Sequence, residues 1–256
     1  MSAITKPTNW ETPGKRFVCF MDIMGFKDYV YRNSHGSVDK KMNEFYEIIR
    51  KYKALKVTYA TIGKPTKKNR ERILVKSVMF SDSIVLITKD DSSESAFFLV
   101  SACAQIVGNC LSKDIGIKAA ISYGNLTCDF KKSLFYGKGL VDAYLLQEEL
   151  GFYGCILDHR AERKIDSWKE KSDITMGGLL KELRVPLKSG LIRHTTVDTA
   201  FLVQDISKIV KGISKTVSGK PRIYVDNTET VMMELKRIEQ ERILKLDELT
   251  KNMKNK

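Results

Sequence analysis

An α+β fold is predicted by three observations. The run FVCFMDIMGF at 17–26 is almost wholly apolar and reads as a buried strand ending at Gly25. The run RILVKSVMFSDSIVLITK is β-rich in both halves and broken at its centre by Ser81-Asp82-Ser83, so it reads as two strands joined by a tight hairpin. Between and after these strands, apolar residues recur at the three- and four-residue spacing of helices.

Each element follows in order. After the first strand, Val38, Met42, Phe45, Ile48, Ile49 and Tyr52 predict a helix over Val38–Lys53. LKVTYATIG is a second strand, and the hairpin supplies the third and fourth. Asp90, Asp91, Ser92, Ser93 and Glu94 form a helix start, and AFFLVSACAQIVGNCL is apolar nearly all round, as a buried helix should be. IGIKAAISYGNL is a strand. SLFYGKGLVDAYLLQEEL is a strand running into a helix whose inner face is Leu140, Ala143, Tyr144, Leu146 and Leu150. The order is β α β β α β followed by β α, the split βαβ arrangement of ferredoxin-like folds. Beyond residue 152, CILDH and SGLIRHTTVDTAFLV read as strands and 160–188 as mostly helical elaboration. A long terminal helix places Val231, Leu235, Ile238, Leu246, Leu249 and Met253 on one side, either packed on the body or forming an oligomer contact. The chain divides into a core, 1–158, and a C-terminal α/β elaboration of the same domain, 159–256.

Composition narrows the function classes. At 256 residues and 43% hydrophobic content the chain can build a substantial core. No run approaches the roughly 18 apolar residues of a membrane span, and the first fifteen residues lack the apolar stretch of a signal peptide, so a cytoplasmic protein with no membrane partner is expected. Cys19, Cys103, Cys110, Cys128 and Cys155 are odd in number and lack CxxC spacing, which supports neither a disulfide framework nor a zinc site and predicts buried thiols. The net charge of +13 invites a nucleic-acid reading. Much of the excess is local: eight Lys and Arg between Lys53 and Lys76 face Glu71 alone. There GKPTKKNRER reads as a protruding loop, solvated or facing an anion, and no RNA-binding aromatic signature accompanies it. His35, His159 and His194 have no partner at ligand spacing, and Asp158 with Arg160 reads as a surface pair at a strand end.

The informative residue is Asp22. A carboxylate inside an apolar strand is costly unless it caps the following helix or meets a cation. Asp82, at the hairpin tip, is the second such group. In a split βαβ sheet the first strand and the hairpin are central neighbours, so the two carboxylates converge at one sheet edge. They would repel unless a cation lay between them, and hard divalent ions suit such oxygen ligands. Two aspartates around one or two divalent ions are the equipment of phosphoryl and nucleotidyl transfer. The turn Ile23-Met24-Gly25-Phe26 adds backbone amides that can approach phosphate closely.

These residues resemble the class III nucleotidyl cyclases. Phe20, Asp22, Ile23, Gly25 and Phe26 match the family's F-x-D-I-x-G-F motif, and Phe80, Ser81, Asp82 and Ser83 match its second metal-binding hairpin. The resemblance covers about residues 16–151, and reaches 158 with its last strand. The wording of ISYG and YGKGLVDAYLLQ is most similar to the compact bacterial cyclases of the Pycsar antiphage system, which make cyclic UMP or cyclic CMP. The resemblance implies two Mn²⁺ or Mg²⁺ ions held by Asp22, Asp82 and the Ile23 carbonyl, with phosphates on the Gly25–Phe26 backbone. It implies a homodimer with the site at the subunit interface, and a separate effector that responds to the cyclic nucleotide. Val141 and Leu145 stand where animal-type members carry a ribose-orienting Asn and a transition-state Arg. Lys118 stands where related bacterial enzymes have Arg, as a triphosphate contact or as a Lys snorkelling from a strand edge. Lys138 and Tyr59 are further substrate-binding candidates, Tyr59 by stacking on a base.

The expected function is a pyrimidine nucleotide cyclase acting on UTP, or on CTP. Two alternatives come from other classes: a non-catalytic nucleotide-binding or interaction module on the same scaffold, and an RNA-binding ferredoxin-like protein.

Overall fold

The computed structural model describes residues 10–11, 13–52, 54–58, 71–168, 176, 178–215, 217, 219 and 221–254. Of the predicted basic loop 63–72, residues 63–70 lie outside the described residues, as does Tyr59, and Glu71 and Arg72 belong to a strand rather than the loop.

The chain forms β1 (Gly14–Ile23), α1 (Phe26–Arg32), α2 (His35–Ile49) and β2 (Ala54–Thr58), then the hairpin β3 (Glu71–Phe80) and β4 (Ser83–Thr88). It continues through α3 (Ser93–Leu111), β5 (Ile117–Asp129), β6 (Leu134–Tyr136), α4 (Lys138–Glu149), β7 (Gly154–Leu157) and α5 (His159–Asp166). Finally come β8 (Leu180–Leu187), β9 (Gly190–Val197), α6 (Ile206–Ser214) and α7 (Arg222–Lys254). The sheet runs β2-β3-β4-β1-β5-β7-β9-β8, with β6 paired to β5. Strand β1 lies antiparallel between β4 and β5, and β7 joins β5 in parallel. This is the α+β, split βαβ layout, extended at one edge by β9 and β8.

Period-two alternation explains how β1 works. Phe17, Cys19 and Met21 enter the main core with Leu99, Cys103 and Ile106 of α3 and Phe45 and Ile49 of α2. Val18 enters a smaller cluster with Ile87 and Leu126 on the other side. Asp22 shares that second side with Val18 and Phe20. Helix α3 begins at Ser92, whose hydroxyl accepts from the Ser95 amide, and it is apolar enough to cross a membrane by length and composition. It is instead the central core helix, two thirds buried.

Helix α4 lies against β1 and β5 because glycines meet there: a Cβ on Gly124 would come within 3.0 Å of the Gly139 amide nitrogen. Its entry at Gly137 has φ +146.

Several expectations are corrected. The predicted helix over Val38–Lys53 begins earlier, capped by Ser34, and ends at Ile49 in a short 3₁₀ turn, Arg50–Tyr52. Segment 160–188 is not mostly helical: after α5, Leu180–Leu187 is a strand hairpinned to β9. Tyr144 is not on the inner face of α4 but 46% exposed, edge-on to Phe20 at 5.3 Å; Gln147 is buried instead. Asp158 is no surface group: it is buried and caps α5 through the Arg160 and Ala161 amides, while Arg160 pairs with Asp142. In α7, Val231 and Leu235 are buried and Leu246 is exposed.

At Gly137 a Cβ would lie 2.4 Å from the Asn125 carbonyl oxygen, at a φ that L-residues rarely adopt. Gly137→Ala is expected to destabilise the fold by ~1–3 kcal/mol, read as a lower urea midpoint with an unchanged slope.

Candidate functional site

The β1, β4 and β5 registers define the site. Asp22 pairs with Ser83 on one side and Lys118 on the other. Ser83 donates its hydroxyl to Asp22 Oδ1 at 3.0 Å. Asp82 occupies the β3–β4 turn beside it, after Ser81 at φ +55, and its carbonyl accepts from the Ile23 amide at 3.2 Å. The two aspartates therefore meet at one sheet edge, and the capping alternative for Asp22 fails: the N-cap of α1 is Gly25, with no side-chain cap.

Burial raises the Asp22 carboxyl to about 6. The Ser83 hydrogen bond opposes that shift, the Asp82 charge adds to it, Lys118 opposes it, and Glu148 adds to it. Asp22 is thus a half-buried acid with an acidic neighbour, a donor set of hard oxygens that fits a divalent cation.

Lys118 is neither at an exposed edge nor snorkelling. It is 2% exposed, beside Asp22 on the same face of the sheet. Its Nζ lies 3.5 Å from the Glu148 carbonyl oxygen and 5.6 Å from the centre of the Tyr224 ring at the start of α7. Burial lowers its pKa, and Glu148 and Asp22 act to raise it. Among the described residues it is the cation whose charge acts on the Asp22 carboxylate. Sequence reading marked Lys118 for the triphosphate; the structure turns it inward.

The following turn is ready for an anion in part. The amides of Ile23 and Met24 are engaged by the Asp82 and Gly116 carbonyls. Those of Gly25 and Phe26 lie at the start of α1, where a helix cannot satisfy its own donors. Gly25 takes φ +73. Beneath this turn is a cavity of about 260 Å³, lined by residues that include Met24, Phe26, Tyr29, Met42 and Tyr153; neither aspartate lines it.

Lys138 is not brought to this edge within one chain. It begins α4 and packs beside Gly124, six residues along β5 from Lys118, roughly 20 Å at the usual strand rise. It pairs with Asp142 at 3.3 Å, which also receives Arg160. Val141 and Leu145, on the outer side of α4, are both more than half exposed. Phe80, at 82% exposure, and Tyr136 are further exposed rings. Ser83 was legible only as part of the hairpin motif, and nothing in the sequence points to Glu148 or Tyr224, which folding brings from far along the chain.

No family model matches the chain, and no curated protein matches it. Solved structures do. The chain is similar to the catalytic core of a rhodopsin-guanylyl cyclase with converted specificity, in complex with ATPalphaS: 14% identity, TM-score 0.47, covering 73% of this chain and 96% of that one. It is similar to a bacterial light-regulated adenylyl cyclase, at 13% identity and TM-score 0.46, covering 80% of this chain and 100% of that one. A third is the adenylyl cyclase CyaB from P. aeruginosa, at 13% identity and TM-score 0.44, covering 73% and 94%. Identities this low leave the site to be read from its own residues.

The raised Asp22 has a pH signature. With a folded value near 6 against about 3.9 unfolded, the native state holds the extra proton between those values, so stability falls as pH rises from about 4 to about 6. Asp22→Asn is expected to raise the melting temperature of metal-free protein at pH 8 and to leave it unchanged near pH 3, read by thermal unfolding across that range.

Proposed function

We propose that this chain is a nucleotidyl cyclase that converts UTP, or CTP, to the 3′,5′-cyclic monophosphate and pyrophosphate. It would work in the cytoplasm as a second-messenger synthase of bacterial antiphage defence, feeding a separate effector. One observation carries the reading: Asp22 and Asp82 meet at one edge of the sheet, close enough for the charge of one to raise the other. With the Ile23 carbonyl they would hold Mn²⁺ or Mg²⁺. When bound, two such ions activate the ribose 3′-oxygen and screen the triphosphate and its leaving pyrophosphate.

The chain's own part is positioning and charge. Ser83 orients the Asp22 carboxylate. Lys118, fixed beside it, favours the ionised form and holds positive charge under the site. The Gly25 and Phe26 amides would bind phosphate oxygens. The 3′-oxygen then attacks its own α-phosphorus in line, with no protein nucleophile required. The apolar Val141 and Leu145 support a pyrimidine reading, because they lack the polar groups that the purine-type route uses.

A homodimer is part of the proposal. Val141, Tyr144 and Leu145 form an exposed apolar surface on α4, and Lys138 lies too far from Asp22 to serve it within one chain. An isologous pairing would let one subunit's Lys138 serve its partner's aspartates. The inward-turned Lys118 favours the second reading, a nucleotide-binding module without turnover, since it leaves no cation facing substrate from β5.

Incubation with Mn²⁺ and each ribonucleoside triphosphate separately, with products identified by mass spectrometry, tests the proposal. A cyclic pyrimidine monophosphate is expected, reduced at least ~100-fold in Asp22→Ala and Asp82→Ala. Absence of any cyclic product with nucleotide binding retained would establish the module reading. For the shared site, mixing inactive Asp82→Ala with inactive Lys138→Ala is expected to restore partial activity; no recovery would place each site within one subunit.

A further inference from the structure

Three cysteines that are far apart in sequence converge in the core. Cys19 of β1, Cys103 of α3 and Cys155 of β7 are fully buried, and their sulfurs all lie within 4.8 Å of one another. Strand β5 lies between β1 and β7, and its small Ala119, paired with Cys155, leaves room for the sulfurs to meet. The side chains acting on each of these thiols are the other two of the cluster. No His or carboxylate joins the group among the described residues.

We propose that Cys19, Cys103 and Cys155 form a three-sulfur site for a soft monovalent metal ion, Cu(I). Three features select it. Thiolate and thiol donors favour soft ions over the hard ones suited to Asp22 and Asp82. Three donors without a fourth suit a trigonal ion better than tetrahedral zinc, which would need another ligand where there is none among the described residues. Charge decides most. A fully buried setting penalises net charge heavily. Cu(I) bound to two thiols and one thiolate leaves the site with no net charge. The ion stays in one oxidation state, and the released proton goes to solvent. Being fully buried, the site would load as the chain folds, and the ion would tie together the strand that carries Asp22, the core helix and β7, stabilising the native state by mass action.

The test uses the full chain, purified under reductant from copper-supplemented cells, and metal-free chain refolded anaerobically with Cu(I) or Zn²⁺ in the presence of a competing copper chelator. One copper per chain, an X-ray absorption spectrum with sulfur neighbours only, release of about one proton per ion and a raised melting temperature are expected. Cys103→Ala and Cys155→Ala should each lose the copper to the chelator. Asp82→Ala should keep it, which separates this site from the fate of the cyclase reading. The proposal is overturned if the native chain retains no copper or holds zinc in preference, if nitrogen or oxygen neighbours appear, or if the triple alanine variant binds copper equally well. Should the single variants fail to fold, the absorption spectrum and proton release of the native chain decide alone.

Discussion

A single carboxylate at the end of the central strand constrains everything around it. Asp22 accepts a hydroxyl from β4, and β5 places the Lys118 ammonium on the same face of the sheet, where its charge favours the ionised acid. The registers of three strands are thus coupled to one charge. A shift of β1 by one residue would turn Asp22 into the α3 core and bring Met21 and Ile23 out, so the apolar alternation and the acid site enforce the same register.

Lys118 shows how the elaboration serves the core. A nearly fully buried ammonium needs partners, and these come from the end of α4, through the Glu148 carbonyl, and from α7, through Tyr224. Tyr224 also stacks on Tyr153 at 6.2 Å, just before β7. The C-terminal helix is therefore the wall behind the site's buried cation, and β9 and β8 continue the sheet on the side of β7.

Where local pattern and tertiary role agree, the fold was legible in the sequence. The strand around Asp22, the hairpin at Ser81-Asp82-Ser83 and the apolar helix α3 each bury the face that their periodicity marks. Strand β8 was not legible, because Lys181 occupies an inward position of its alternation beside Leu183 and Val185, where it pairs with Glu239 of α7 at 2.6 Å. The convergence of Asp22 and Asp82 was readable from topology. The inward course of Lys118 and the remoteness of Lys138 were not, since both depend on which end of α4 lies over which end of β5. Nor could the spacing of the cysteines show that three of them meet.

The pairing of Asp22 with Lys118 also has a kinetic side. It closes the whole chain between β1 and β5, passing α1, α2, the hairpin and α3, and Lys118 gains its Tyr224 contact only when α7 docks from the far end of the sequence. Such distant contacts are entropically expensive to close and form slowly. A nascent chain can fold the hairpin and even seat it on β1 before Lys118 takes its place beside the acid. The chemistry of this edge is therefore among the last properties the folding chain acquires, and among the first lost when β5 or α7 lets go.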